Sequence, residues 1–198
     1  PLNLSTAAIE GWVNQKSSWV ARQRALLAQQ AAALAASPAA SGQSLLLGGR
    51  MLPIRYNQPV PGPVLEPDRL LLPGRSLEAS LPALDKLLFS LAKEKLPAAL
   101  WQAARRWGFP LEKITVTRAR GRWGSCRASR GSVCLSWRCL ALPQDLLEYV
   151  LIHELCHLLA PDHSPAFWAQ VARILPDHAR RRKNLARLSP QLSLPPWA

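Results

Sequence analysis

His153-Glu154-Leu155-Cys156-His157 sets two imidazoles four residues apart, with a carboxylate directly after the first. On a helix, residues four apart share a face, so both rings can reach one metal ion. Glu154 is rotated by about 100° from His153. It is badly placed to ligate that ion and well placed to hydrogen-bond a water bound to it. Two histidine ligands with a glutamate base is the arrangement of zinc peptidases. Zinc lowers the pKa of its bound water toward about 7. Glu154 would take that proton during attack on a peptide carbonyl and pass it to the leaving amine.

A catalytic zinc wants three protein ligands and one open position. His163 is the expected third ligand, in an H-E-x-x-H-x-x-x-x-x-H pattern. Asp162 could ligate instead, but imidazole suits zinc better. Metzincins share this spacing and turn on a glycine three residues after the second histidine. Here Ala160 and Pro161 stand at the turn, so the chain is not placed among them. A five-residue match also arises by chance, and a structural zinc is the plainer alternative. Structural sites, however, are usually cysteine-rich and four-liganded. Two imidazoles and a carboxylate on an otherwise apolar helix are costly without partners.

The elements that must carry these groups follow from periodicity and punctuation. Pro143 opens a helix expected to run to about Leu159, with Asp145 and Glu148 in its first turn. Ser164-Pro165 reads as an N-cap and first helical position. A basic helix is expected over 177–188, before an irregular tail. Upstream, 6–36 reads as helix and "SLLLGGRMLPIRY" as a hairpin turning at Gly48-Gly49. The proline-rich stretch after it should be edge strand and loop. A second amphipathic helix is expected over 82–107, bent or split at Pro97, with Leu84, Leu87, Leu88, Leu91 and Leu96 on one side. Residues 114–118 and 132–137 look like strands, joined by a Gly- and Arg-rich loop.

The chain has 198 residues, 48% of them hydrophobic, enough to bury a core. Its net charge of +13 favours polyanionic partners without choosing among them. Cys126, Cys134, Cys139 and Cys156 form no C-x-x-C pair, which argues against a zinc ribbon. They read as reduced thiols of a cytoplasmic protein. No apolar run has the length of a membrane span, so no membrane partner is expected.

"RWGSC" at 122–126, "GSVCLSWRCLALP" and "YVLIHELCHLLAPDHSPAFW" together resemble the YgjP-like metallopeptidase family, zincin-like domains related to SprT-like proteases and minimal gluzincins. The likeness is strong over 114–168 and orderly upstream, in "IEGWVNQKSSWVARQ" and "LLLGGRMLPIRY". It implies an α+β zincin-like domain, a small sheet packed with helices around the H-E-x-x-H helix. It also implies His153, His157 and His163 as ligands of one Zn2+ ion, Glu154 as general base, and protein or peptide as substrate. The family usually has further strands before its helix, which implies a chain trimmed at its N-terminus. Ser136 departs from an asparagine frequent in the family, with a consequence expected for how a substrate strand is held. The expected organisation is an N-terminal helical segment, 1–42, packed on the same domain, and the metallopeptidase domain, 43–198.

Other residues have plainer readings. Trp123-Gly124-Ser125-Cys126 is taken as a tight packed turn ahead of a cleft floor. Tyr149 is taken as packing ahead of oxyanion stabilisation, Cys156 as core, and His178 as a surface residue. Phe167 and Trp168 should clamp their helix onto the zinc helix. Strand 132–137 could be an edge on which an extended peptide docks; no residue is assigned to substrate binding. Two basic clusters, Arg118, Arg120, Arg122, Arg127 and Arg130, and Arg173, Arg180, Arg181, Arg182, Lys183 and Arg187, could bind nucleic acid through phosphates. The alternatives are therefore a basic nucleic-acid-associated protein with a structural or inactive zinc site, or a SprT-like protease acting on DNA-bound proteins. A third is an interaction protein whose Ala/Gln-rich N-terminal helix pairs with a partner.

Overall fold

The computed structural model describes residues 43–189, together with Ser17, Ala21, Ala25, Ala28, Gln29 and Trp197. The chain divides into two units, Pro1–Ser37 and Pro38–Ala198. In the first, the five described residues are helical, and the rest of the helix expected over 6–36 lies outside the described residues.

The second unit opens with the expected hairpin, β1 (Ser44–Leu47) and β2 (Arg50–Arg55), paired antiparallel. Gly48 and Gly49 turn it with φ of 58° and 77°, values that favour glycine. The turn is pinned at its tip, where Gly48 N–H donates to the Leu140 carbonyl and Gly49 N–H to that of Ala141, each at 2.8 Å. The proline-rich stretch yields two short strands, β3 (Val64–Leu65) and β4 (Leu70–Leu71). They complete a four-stranded sheet in the order β1-β2-β4-β3.

Helix α1 (Leu77–Trp107) starts earlier than Pro82 and is not split at Pro97. Pro82 resembles a first-turn proline, but the cap is Ser76, whose hydroxyl accepts from Ala79 N–H at 3.3 Å. Leu84, Leu88, Ala92, Leu96, Leu100 and Ala104 are buried at four-residue intervals. Four residues overshoot one turn by about 40°, so this stripe winds around the helix and meets successive neighbours. Leu87 and Leu91 pack on the edge of the core. Gly108, at φ 69°, ends the helix.

A mixed three-stranded sheet follows, in the order β5-β7-β6. β5 (Lys113–Thr117) runs parallel to β7 (Ser132–Ser136), and β6 (Gly124–Arg127) antiparallel to it. Two expectations are corrected here. The Gly- and Arg-rich stretch is not all loop, because β6 lies within it. Residues 132–136 are the central strand, with both edges paired, so they offer no edge to a peptide. Trp137–Ala141 forms a 3-10 turn leading to Pro143. The last helices are α2 (Gln144–Cys156), α3 (Pro165–Ile174) and α4 (His178–Leu188). Helix α2 ends at Cys156, short of Leu159. At the far end of the chain, the Trp197 indole packs on Trp137 with centroids 5.1 Å apart and donates to the Leu46 carbonyl at 3.0 Å. Helices and small mixed sheets together make the α+β architecture expected. Among the described residues, no helix is long and apolar enough to cross a membrane.

Candidate metal centre

Helix α2 carries His153 and Glu154 in its last turn, and His157 is the residue that closes it, with φ −64° and ψ −17°. The near-helical conformation keeps His157 one turn from His153 although the regular helix has ended. Leu158, Leu159 and Ala160 then close tight turns onto Leu155 and Cys156. Pro161 disfavours helical geometry at Ala160, and the chain swings out. Ser164 caps α3, its hydroxyl accepting from Phe167 N–H at 3.4 Å. This brings His163 back over α2.

One nitrogen from each of His153, His157 and His163 lies within 4.8 Å of the others. The Nε2 atoms of His153 and His163 face each other at 3.2 Å. Two nitrogens bound to one tetrahedral zinc at 2.0–2.1 Å would stand about 3.3 Å apart. The donor set therefore fits such an ion. His157 Nδ1 lies 3.1 Å from the Ala160 carbonyl, so that ring donates from Nδ1 and leaves Nε2 free to ligate. Asp162 is not part of the cluster; its carboxylate accepts from Ser164 N–H at 3.4 Å.

Aromatic walls hold the rings. Phe167, fully buried, stacks on His157 with centroids 4.4 Å apart and meets His153 edge-on at 5.0 Å. Trp168 stacks on His163 at 5.7 Å and on His178 at 5.6 Å. The expected clamp is thus also the lining of the site, and His178 belongs to that stack. Burial, with the neighbouring imidazoles, pushes the His153 pKa down to about 4. Burial also lowers that of His157, against its bond to Ala160. Both rings are held neutral, the form that binds metal.

Glu154 is buried, and burial pushes its carboxyl up to about 7, against the opposing charge of Arg122. It packs against the backbone of β6 at Gly124, where an added Cβ would stand 2.6–2.8 Å from its side-chain atoms. Trp123-Gly124 therefore floors the cleft, the reading set second in the sequence. The turn before β6 is fixed from below. Ser136 Oγ donates to the Ala119 carbonyl at 2.7 Å, and Ser136 N–H to that of Trp123 at 2.7 Å. The buried Arg138 guanidinium donates to the Arg120 carbonyl and lies over the Trp123 ring. Ser136 is 1% exposed, so it braces this turn and does not touch a substrate strand.

A family model described as YgjP-like, metallopeptidase domain, matches residues 1–188. The chain belongs to the YgjP-like metallopeptidase family. The resemblance read from the motifs is borne out, and membership carries the zincin-like fold class and a divalent metal with it. No curated protein matches. Among solved structures, the chain is similar to the metallopeptidase zymogen abylysin of Pyrococcus abyssi, at 24% identity over 47% of this chain and 94% of that one, with a TM-score of 0.41.

Around the YgjP-like centre, Tyr149 is buried with its ring 5.8 Å from that of His153. Cys156 faces the core as expected, and all four cysteines are free thiols. The basic clusters divide. Arg118 pairs with Asp85, Arg180 with Asp177, and Arg181 with Asp177 and Glu148. Arg122 and Arg182 instead line the cleft over Glu154, a role the sequence did not mark.

Proposed function

We propose that the chain is a zinc-dependent metallopeptidase hydrolysing peptide bonds, with His153, His157 and His163 as ligands of one ion and Glu154 as general base. The observation that carries this reading is three imidazoles converging within 4.8 Å beside a buried carboxyl held near neutrality. A zinc ion there supplies a Lewis acid and an acidified water. Glu154 accepts the proton of the attacking water and returns it to the leaving amine, and burial, which raises its carboxyl above the ordinary carboxylate range, favours holding that proton between the two steps. The outer edge of β6 lies beside Glu154 and has no strand partner among the described residues. An extended substrate would pair there, on β6 and not on β7.

The division into an N-terminal helical segment, 1–42, and a metallopeptidase domain, 43–198, is part of this proposal. So is a cytoplasmic location, which the four free thiols support. The alternatives built on nucleic acid have less behind them, since Arg118, Arg180 and Arg181 are ion-paired within the chain.

The test is zinc content and peptide hydrolysis of the native chain, His163→Ala and Glu154→Gln side by side. The native chain should hold one zinc and cut peptides. His163→Ala should lose the metal, and Glu154→Gln should keep it without turnover. Turnover by Glu154→Gln would remove the general base from the mechanism.

A further inference from the structure

The cleft over Glu154 has a volume of about 390 Å³ and is walled by β6, α2 and α4. Glu154 is the one carboxylate among its lining residues, while Arg122 enters beside β6 and Arg182 from α4. Neither guanidinium makes an ion pair among the described residues, although Arg180 and Arg181, next on the same helix, both do. Arg182 is braced, its guanidinium 5.2 Å from the centre of the Trp168 ring that also stacks on His163. Its charge reaches both Tyr149 and His153, and that of Arg122 reaches Glu154. A second depression adjoins the first, sharing Arg182 and Ala186 and adding Lys183.

A cleft with two unpaired guanidinium groups and one inward carboxyl lacks negative charge. Guanidinium binds carboxylate through paired, charge-assisted hydrogen bonds. The remaining walls include Trp123, Tyr149 and Leu185, which suit the apolar stem of a side chain. A nucleic-acid track would instead want a row of free cations, and on α4 that row is broken by ion pairs. We infer that Arg122 and Arg182 select acidic peptides, each able to hold an Asp or Glu side chain close to the bond that is cut. This inference rests on the peptidase reading and assigns its substrate class.

The test uses the full chain loaded with zinc and peptides blocked at both ends, differing only in Glu against Gln. The Glu peptide should be cut with a kcat/KM about tenfold or more higher, with the difference mainly in KM and shrinking as salt is added. In Arg122→Gln and Arg182→Gln the ratio of the two peptides should fall toward one. Binding of the same pair to Glu154→Gln, followed by tryptophan fluorescence, reads the preference without turnover. If no peptide is cut, the peptidase reading fails and takes the assignment of a cleaved substrate with it, while tighter binding of the Glu peptide would still uphold the acidic preference of the cleft and equal binding would overturn it. Equal cutting and equal binding overturn the inference and leave the peptidase reading intact. A preference that follows a free C-terminus, in an unblocked control peptide, overturns the side-chain assignment. Displacement by a single-stranded oligonucleotide, with no preference for Glu, gives the two arginines to phosphate and overturns it as well.

Discussion

Gly124 lies so close under Glu154 that a methyl group there would stand 2.6 Å from Cγ, 2.7 Å from Cδ and 2.8 Å from Oε1. Its φ is not in the left-handed region, so the glycine is required by space and not by backbone conformation. Glu154 is only 6% exposed and packed against Gly124, so relieving the clash has to move its carboxyl out of its native place, toward the cleft. Gly124→Ala should therefore displace the carboxylate while leaving the three histidines where they are. A shift of about 1 Å in a catalytic group can cost about a hundredfold in rate. We predict unchanged zinc content and helix signal, with kcat/KM down by about that factor. Unchanged turnover would mean that the carboxylate is not held by this contact.

Phe167 makes the second test. It is fully buried and touches all three imidazoles, stacking on His157 and meeting His153 and His163 edge-on. Phe167→Ala should cost about 3–5 kcal/mol by cavity formation alone, enough to confuse the site with the core. Phe167→Leu keeps most of the volume and loses the flat wall. It should stay folded and bind zinc about tenfold or more weakly, in the range typical of groups that orient metal ligands. Chelator competition measures this, and native zinc affinity in a folded Phe167→Leu would show that the stacking does not orient the rings.

What the sequence made legible was local. His153, Glu154 and His157 follow from helical spacing, Ser164 from its capping chemistry, and Gly48-Gly49 from the positive φ that a tight hairpin needs. What it hid depended on distant partners. β6 has the residues of a loop, Gly124 to Arg127, and becomes a strand only by pairing with β7. β7 reads like an edge because nothing nearby in sequence announces that β5 will pair parallel to it. Pro82 imitates a helix start that Ser76 supplies six residues earlier. Arg180, Arg181 and Arg182 are chemically identical in the sequence. Successive residues point about 100° apart on a helix, so only the seating of α4 decides which faces Glu148 and which the cleft.

The hairpin tip offers a paired comparison. Gly48 and Gly49 both have positive φ, but a Cβ at Gly48 meets nothing within 4 Å. At Gly49 it would stand 2.4 Å from Pro143 Cβ and 2.8 Å from Pro143 Cα, at the start of α2. Gly48→Ala should cost about 1–2 kcal/mol, the left-handed penalty alone. Gly49→Ala adds a clash with backbone that cannot rotate away, about 1–3 kcal/mol more. Urea midpoints of the two variants measure the difference. Equal destabilisation would mean that the hairpin is not seated on Pro143.

Arg181 is the tie between α4 and α2. Its guanidinium donates to the Asp145 carbonyl at 2.8 Å and Glu148 at 2.7 Å on α2, and to Asp177 at 2.8 Å before α4. Its side chain is 15% exposed, so these bonds are shielded more than those of an ordinary surface pair. Arg181→Ala should cost about 1–3 kcal/mol at neutral pH, and Arg181→Lys should recover only part, since an ammonium cannot serve three acceptors in one plane. Hydrogen bonds from Arg180 and then Arg181 hold the Asp177 carboxyl below the usual carboxylate range. A carboxyl depressed in the folded state stabilises the fold above its unfolded pKa and loses that contribution as pH falls through its folded value. The gap between the native chain and Arg181→Ala should therefore narrow as acid protonates Asp177. Because α4 also carries Arg182 and Leu185 into the cleft, peptide binding should weaken along with stability. Urea unfolding at neutral and acid pH, with peptide binding measured on the same samples, checks both. A constant gap across that range would show that the Asp177 bond contributes nothing to seating α4.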